Sequence, residues 1–410
     1  MFHKEQIIVG MEIGTSKVCA VVGELLEDGN VMIIGVGQAE SRGVRKGELV
    51  HMESCEQAIH EAVKAAEENA GVEIHTVNAS VTGGHLRCFN NRGSVAVMNE
   101  DREIGNEEIQ NVMLNAKAVN IPMDHVIVHA IRQRFYVDGH DGIQNPVGMV
   151  GAKLEADVHV IHGVRTRLQN TIKAIKEVSL DIDTIAVSSL ASALAVLTSE
   201  HQQLGAVVID MGGGTTDYIV YRNGTVQHTG CIAVGGDHVT NDIAVGLRIP
   251  MNRAERLKVE HGSADWPVEE NPIVIKREVG LPDYQLSRRQ LCQIIHLRVE
   301  ETLTLVKQDL ERLGLLDMLG AGVFITGGCA RLNGLESLAG KVFGLPVHLG
   351  HSRSINGPTA AIESPEYSTA IGLLRYAVHS HRDNHHAPSF WRQVGSRLQG
   401  LLSKVRVFSF

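Results

Sequence analysis

A chain of 410 residues is too long for one ordinary core and long enough for two or three domains. Its 43% hydrophobic and 21% charged residues are typical of a soluble globular protein. Its net charge of −9 speaks against a general nucleic-acid binder, which needs basic surface to displace counterions. The six cysteines form no Cys-x-x-Cys pair, which fits a reducing cytosol better than a disulfide framework or zinc site. The polar start MFHKEQ passes straight into a strand, so no signal peptide is expected, and no apolar run approaches the roughly 18 residues of a spanning helix.

In chain order, IIVGMEIGTSKVCAVVGELLEDGNVMIIGVG, from Ile7, reads as strand, glycine turn, strand, polar turn, strand. MESCEQAIHEAVKAAEENAG has a helical pattern. From Gly84 to His162 the pattern changes: EIGNEEIQNVMLNAKAVNI reads as a helix, and HVIVHAIRQRFYVDG and GAKLEADVHVIHG as strands, enough for an inserted α/β subdomain. From Ala206, AVVIDMGGGTTDYIVYRNGTVQHTGCIAVGG repeats the opening. In each copy an acid ends the first strand (Glu12, Asp210), a Gly/Thr turn follows, and a second strand returns. Hairpin chemistry recurs at Glu27-Asp28-Gly29-Asn30 and Arg222-Asn223-Gly224. A repeated three-strand opening among mixed elements predicts two similar α/β domains facing each other. Thr240 to Gly314 reads as a mainly helical insertion, where Ser287 and Gln290 have capping-box spacing ahead of Leu291, Ile294, Ile295, Val299, Leu303, Val306 and Leu310. The expected division is 1–83 with 163–195, an insertion at 84–162, 196–239 with 315–377, an insertion at 240–314, a linker at 378–388 and a terminal helix at 389–410.

The paired turns suit a nucleotide. Glycine lets backbone N–H groups approach phosphate oxygens because no Cβ intervenes. Gly14, Gly212, Gly213 and Gly214, with Gly235 and Gly236, are therefore phosphate-binding candidates. Thr15, Ser16, Thr215 and Thr216 add hydroxyl donors, and Lys17 reaches a phosphate as a point charge. Glu12 and Asp210 would repel phosphates directly, so their sensible role is to hold Mg²⁺ through water. FITGGCARLNG runs a strand into Gly327-Gly328, suited to adenosine. In AERLKVEHG, Glu255 and Lys258 share a helical face, where they would meet the ribose and the base. Taken singly, a Gly-Gly turn and an i,i+3 ion pair are ordinary features; together with the paired turns they make an ATP site.

Acid-x-Gly-Thr-Ser-Lys, Asp-x-Gly-Gly-Gly-Thr-Thr-Asp and Thr-Gly-Gly resemble the phosphate and adenosine motifs of the actin, sugar-kinase and 70-kDa heat-shock chaperone superfamily. Within it, NPVGMVGAKLEADVHVI, LASALAVLTSEHQQLGAVVIDMGGGTTD, GGDHVTNDIAVGLRIP and AERLKVEHG resemble the FtsA family of bacterial cell-division proteins, a likeness running from Ile7 to about Ala377. The resemblance implies an actin-like fold whose first insertion takes part in self-association. It also implies a second insertion that grips the C-terminal peptide of FtsZ, where Arg298 and Glu301 fit the family's helix pattern, and later division proteins as further partners. There are two departures. Glu12 stands where the family usually has Asp. In AVSSLASA, Ser188 and Ser189 stand where many hydrolytic relatives place Gln or Glu, so no catalytic residue is assigned and ATP binding with at most weak hydrolysis is expected.

After Ala377, VHSHRDNHHAPS reads as a polar linker, and its four histidines fit a linker better than a metal site. In SFWRQVGSRLQGLLSKVRVFSF, Phe390, Trp391, Val394, Leu398, Leu401, Leu402, Val405 and Phe408 fall on one helical face. Arg392, Arg397, Lys404 and Arg406 lie off it, with no acid. Such a helix lies in the interface of an anionic leaflet rather than crossing it, and the FtsA family resembles this arrangement of linker and membrane-targeting helix. The expected protein is an ATP-binding, self-assembling anchor for FtsZ filaments on the cytoplasmic side of the inner membrane at the division septum. The alternatives are an ATP-dependent sugar or acetate kinase, for which no carboxylate base is evident where the domains meet, and a pilus-assembly ATP-binding protein.

Overall fold

Both copies of the repeat build the same sheet. A computed structural model describes residues 7–269, 272–275, 284–353, 355–385 and 407–408. In the first sheet, Val31–Glu40, Lys17–Leu25 and Ile7–Ile13 form an antiparallel meander, and Thr76–Val81 and Asp181–Val187 add in parallel beyond Ile7–Ile13. In the second, Thr225–Ile232, Thr216–Arg222 and Ala206–Met211 form the meander, and Gly322–Thr326 and Val347–Leu349 add in parallel. The central strand Ala206–Met211 is buried at every residue, as a strand covered on both faces must be. Glu12 and Asp210 occupy the same penultimate position of the two leading strands, opposite Cys19 and Asp217.

One face of each sheet packs into a shared core. Between the sheets run the helix Ser188–Val196, with every residue buried, and the helix Ser368–His385. The small side chains of SSLASALAV let the helices approach until backbone touches backbone. A Cβ at Gly372 would stand 1.8 Å from the Ala191 carbonyl oxygen, so this crossing needs glycine. The outer faces are covered separately, by Met52–Ala70 and Arg165–Glu177 on the first sheet, and by Gly236–Leu247, Leu335–Phe343 and Arg288–Arg312 on the second.

The 84–162 region folds as an antiparallel sheet of Arg87–Ala96, Lys153–Val164 and His125–Val137, with the helix Asn106–Lys117 across it and its own core around Phe135, Leu154 and Val158. The 240–314 region is mainly helical, with a short hairpin of Pro272–Ile275 and Tyr284–Ser287. Ser287 caps the long helix there, its hydroxyl accepting from the Gln290 N–H at 3.2 Å.

The C-terminal region departs from expectation at two places. The helix Ser368–His385 continues through positions assigned to the linker, with Val378 and Ser380 buried, because no Gly or Pro interrupts the chain before Pro388. Val407 and Phe408, expected on the terminal helix, instead pair in parallel with Ala130 and Ile131; an open strand edge offers backbone partners to any β-prone segment that reaches it. The rest of that expected helix, 389–406 and 409–410, lies outside the described residues. Among the described residues, no helix is long and apolar enough to cross a membrane.

Candidate functional site

The two Gly/Thr turns face each other across a cavity of about 280 Å³ at the ends of the leading strands. The first turn contributes Glu12, Gly14, Thr15, Ser16 and Lys17 to its wall, and the second Asp210, Gly212, Gly213, Gly214 and Thr215. Gly327 and Gly328 close one side. The glycine run also serves the protein itself: a Cβ at Gly214 would lie 2.3 Å from Thr15 Oγ1 and 2.9 Å from the Lys46 backbone, so the turns could not approach this closely. Thr15 Oγ1 in turn accepts from the Gly47 N–H at 3.0 Å.

Three carboxylates meet in this wall. Asp210 Oδ2 accepts from Ser192 Oγ at 2.5 Å and Thr369 Oγ1 at 2.9 Å, hydroxyls carried by the two helices that cross at Gly372. Asp217 accepts from Thr82 Oγ1 at 2.6 and 2.7 Å and from Thr215 Oγ1 at 3.0 Å. Glu12 pairs with Lys17 Nζ at 3.0 Å. Burial pushes all three acids above the ordinary carboxylate range, and charge repulsion adds to it, from Asp210 on Glu12, from Asp217 on Asp210 and from Glu12 on Asp217. Burial opposes the Lys17 ammonium, but the charges of Glu12, Cys19 and Asp210 and its hydrogen bond to Glu12 outweigh this and raise its pKa. Two buried acids and the half-buried Glu12, facing one lysine, leave a cavity suited to a cation.

The raised acids set a pH dependence. A carboxyl whose pKa rises on folding costs nothing below its unfolded value, near 4, and destabilises the fold as pH climbs through its raised value. Asp217→Asn removes one such charge. The melting temperature of this variant relative to wild type is therefore expected to climb from about pH 4 upward. A difference that stays flat or shrinks over that range would remove the argument for a strained acid cluster.

The remaining sequence candidates occupy different places. Thr216 is fully buried and turned away, its hydroxyl donating to the Val234 carbonyl at 2.8 Å. The Gly236 N–H donates to the Gly212 carbonyl at 2.9 Å, and the Gly235 N–H meets His238 Nδ1 at 3.2 Å, so these glycines brace the turn from behind. Lys258 Nζ donates to the Gly236 carbonyl at 3.1 Å, to Thr240 Oγ1 at 2.9 Å and to Glu255 at 2.7 Å; Glu255 also bonds Thr240. This pair stands behind Gly236 and outside the cavity lining. Arg298 lies outside the cavity lining, bonded to Asp242 at 2.5 Å and to Glu301.

Sequence reading missed Thr82, Asp217, Ser192, Thr369, Arg331 and Glu366. The sequence offered no evident carboxylate base where the domains meet; besides Asp210, Asp217 stands there, reaching from the second sheet to Thr82 beyond the first. Strand parity was the available signal. Thr215 and Asp217 share a face that Thr216 does not. Arg331 and Glu366, both on the lining, form a bidentate pair at 2.8 and 2.6 Å, visible only in three dimensions.

A family model described as "Cell division protein FtsA" matches residues 207–372, and one described as "SHS2 domain inserted in FTSA" matches residues 83–162. Over 380 residues the chain is 39% identical to cell division protein FtsA of Pseudomonas aeruginosa, covering 92% of this chain and 91% of the relative. The chain belongs to the FtsA family. A second relative, FtsA of Escherichia coli strain K12, is 38% identical over 385 residues, with the same coverage. The role is therefore in cell division, which displaces the kinase and pilus-assembly alternatives. Among solved structures, the type IV pilus biogenesis complex PilM–PilN superposes with a TM-score of 0.65 at 15% identity, covering 90% of this chain and 98% of that one. MreB5 of Spiroplasma citri bound to ADP superposes at 0.57 and 14%, covering 94% and 100%. At such identities the likeness is one of fold, and it makes this FtsA-family chain actin-like, as its duplicated sheets anticipate.

Proposed function

We propose that the chain binds Mg-ATP in the cleft, and that the bound form assembles on the cytoplasmic face of the inner membrane and tethers FtsZ filaments at the division septum. One observation carries the nucleotide reading: a cavity between matched turns whose wall combines three acids with raised pKa, one lysine and a row of hydroxyl and backbone donors. Among the described residues, no three His, Cys, Asp or Glu side chains are placed to ligate one metal ion. Glu12 and Asp210 would thus hold Mg²⁺ through water, and the cation would relieve their mutual repulsion. Gly14, Thr15, Ser16, Lys17 and Gly212 to Thr215 would receive the phosphates, and Gly327 and Gly328 the adenosine. Glu255 and Lys258, behind Gly236, would join the adenosine site only if that segment shifts. ATP supplies a charged bridge between two halves of the cleft, and contacts made only in the closed form favour that form. The MreB5 structures with ADP and AMPPNP are of proteins sharing the fold.

For the FtsZ peptide the proposed surface is the Arg288–Arg312 helix, where Leu297 and Leu305 stand exposed on the same face as Glu301, beside Arg298. The inserted subdomain, with Met98, Met123 and Val150 exposed in its connecting segments, is the proposed self-association surface, and later division proteins are further partners. Phe390 to Arg406, with its four basic residues, is the proposed membrane segment. Truncation after Pro388 is expected to leave a folded protein that no longer floats with anionic liposomes; flotation of the truncated chain would move the anchor elsewhere. The whole reading is tested by calorimetric titration with Mg-ATP and by electron microscopy on anionic lipid monolayers. Saturable binding, and filaments that depend on nucleotide, are expected. A folded protein giving no heat with Mg-ATP would overturn it.

A further inference from the structure

Outside the cavity lining, a second cluster of ionisable groups lies where the inserted sheet meets the second repeat sheet. Cys88, on the strand Arg87–Ala96, is half-buried, with its Sγ 3.4 Å from His228 Nδ1. His228 Nε2 is 3.0 Å from Asp309 Oδ2 on the Arg288–Arg312 helix. Tyr218 OH donates to that same oxygen at 2.6 Å, and Arg312 to the other at 2.5 Å, so Asp309 is held in place. With Asp309 accepting from Nε2–H, the neutral imidazole presents the lone pair of Nδ1 to the thiol. The three groups come from three separate parts of the chain.

Competing contacts decide where the proton rests. The Thr229 carbonyl, 3.0 Å from Sγ, favours the thiol. Burial opposes the thiolate as well, but the neighbouring His159 and His228 outweigh it and hold the Cys88 thiol down to about 5. Burial likewise opposes the His228 imidazolium, and Cys88 and Asp309 together raise its pKa despite that. The other five thiols go the opposite way. Burial pushes Cys19 up to about 12, Cys55 and Cys329 up to about 11, and Cys231 and Cys292 upward.

We propose that Cys88 is a modification site: a thiolate maintained by the His228–Asp309 pair that reacts with small soft electrophiles, hydroperoxides in particular. In that step the Cys88 sulfur attacks the terminal oxygen of the hydroperoxide. An S–O bond forms as the O–O bond breaks, and the departing alkoxide takes the proton from His228 Nδ1. Sulfur is oxidised by two electrons to the sulfenic acid, and the peroxide is reduced to an alcohol, or to water from hydrogen peroxide. The added oxygen sits at a junction also fastened by Asn90 Nδ2 on the Gln227 carbonyl at 3.1 Å and His159 on Thr229 at 3.1 Å. Oxidation therefore loosens the seat of the inserted sheet.

The test is a pulse of iodoacetamide on the full chain from pH 5 to 9, with site-resolved mass spectrometry of every cysteine. At pH 5.5 an ordinary thiol is roughly 0.1% thiolate, whereas Cys88 is mostly ionised. A low-pKa thiolate is also a weaker nucleophile, by a factor of about 40 for this difference. The net advantage is about 20-fold at pH 5.5 and vanishes near neutrality, so the acid end of the profile is the informative one. Expected are at least ~10-fold preferential labelling of Cys88 there, a half-maximal rate near pH 5, and a sulfenic adduct at Cys88 after hydrogen peroxide with a dimedone trap. His228→Gln is expected to raise the half-maximal point, with His159 still opposing a full return to the ordinary thiol value, and Asp309→Asn to raise it by less. A wild-type midpoint above about pH 8, an unshifted profile in folded His228→Gln, or no peroxide adduct would each overturn the proposal. Should His228→Gln not fold, the wild-type profile alone decides.

Discussion

Asp210→Asn is expected to weaken Mg-ATP binding about 100-fold while leaving the ligand-free protein no less stable than wild type. Both halves of the result have one cause. Asp210 is buried and its ionised form is disfavoured by burial and by Asp217, so removing the charge relieves the empty fold. The amide oxygen still accepts from Ser192 and Thr369, which keeps the local geometry. What the variant loses is the charge on the carboxylate proposed to face Mg²⁺, and binding is where that loss appears. Calorimetric titration and a thermal melt on the same sample separate the two effects. Near-normal affinity in the variant would sink the metal assignment, and a large fall in stability with affinity retained would recast Asp210 as structural. Such an exchange of stability for function is common at binding sites.

The second large effect is structural. Gly372→Ala puts a methyl carbon 1.8 Å from the Ala191 carbonyl oxygen, which is backbone and cannot swing aside. The helices Ser188–Val196 and Ser368–His385 must part, at a cost of about 3 kcal/mol, read as a melting temperature lower by roughly 3–5 °C. Gly340→Ala is the matched control. Its nearest neighbour is Val347 Cγ2 at 4.0 Å, and alanine is the better helix former by about 1 kcal/mol. A fall at Gly372 no larger than at Gly340 would mean that the crossing yields cheaply. The crossing also reaches the site, because these helices carry Ser192 and Thr369 to Asp210. Gly372→Ala should therefore weaken nucleotide binding from a position that touches no ligand.

Most of the architecture was legible in the chain itself, because the signals that encode it are local. Alternation, turn chemistry and the recurrence of an acid before a Gly/Thr turn marked the two meanders, and the sheets have the same strand order. The seven apolar positions from Leu291 to Leu310 share a period, and all but Ile294 are fully buried. Where chemistry depended on contact between distant segments, the sequence was silent. Asp217 finds Thr82, 135 residues away, and Arg331 finds Glu366 on a separate loop. Cys88, His228 and Asp309 meet only because the inserted sheet rests on the second meander. Local propensity cannot specify such meetings, since the energy of each depends on a partner whose position the whole fold sets.

The sequence alone therefore determined the duplicated α/β plan, the paired turns, the acids that end their strands and the family resemblance. All of these follow from periodicity and residue type over short spans. Only the tertiary structure decided which hydroxyls hold the acids, which of two adjacent threonines faces the cavity, and which of six cysteines lies beside histidine. Those outcomes depend on burial and on distances of a few ångströms between segments, and no local pattern carries them.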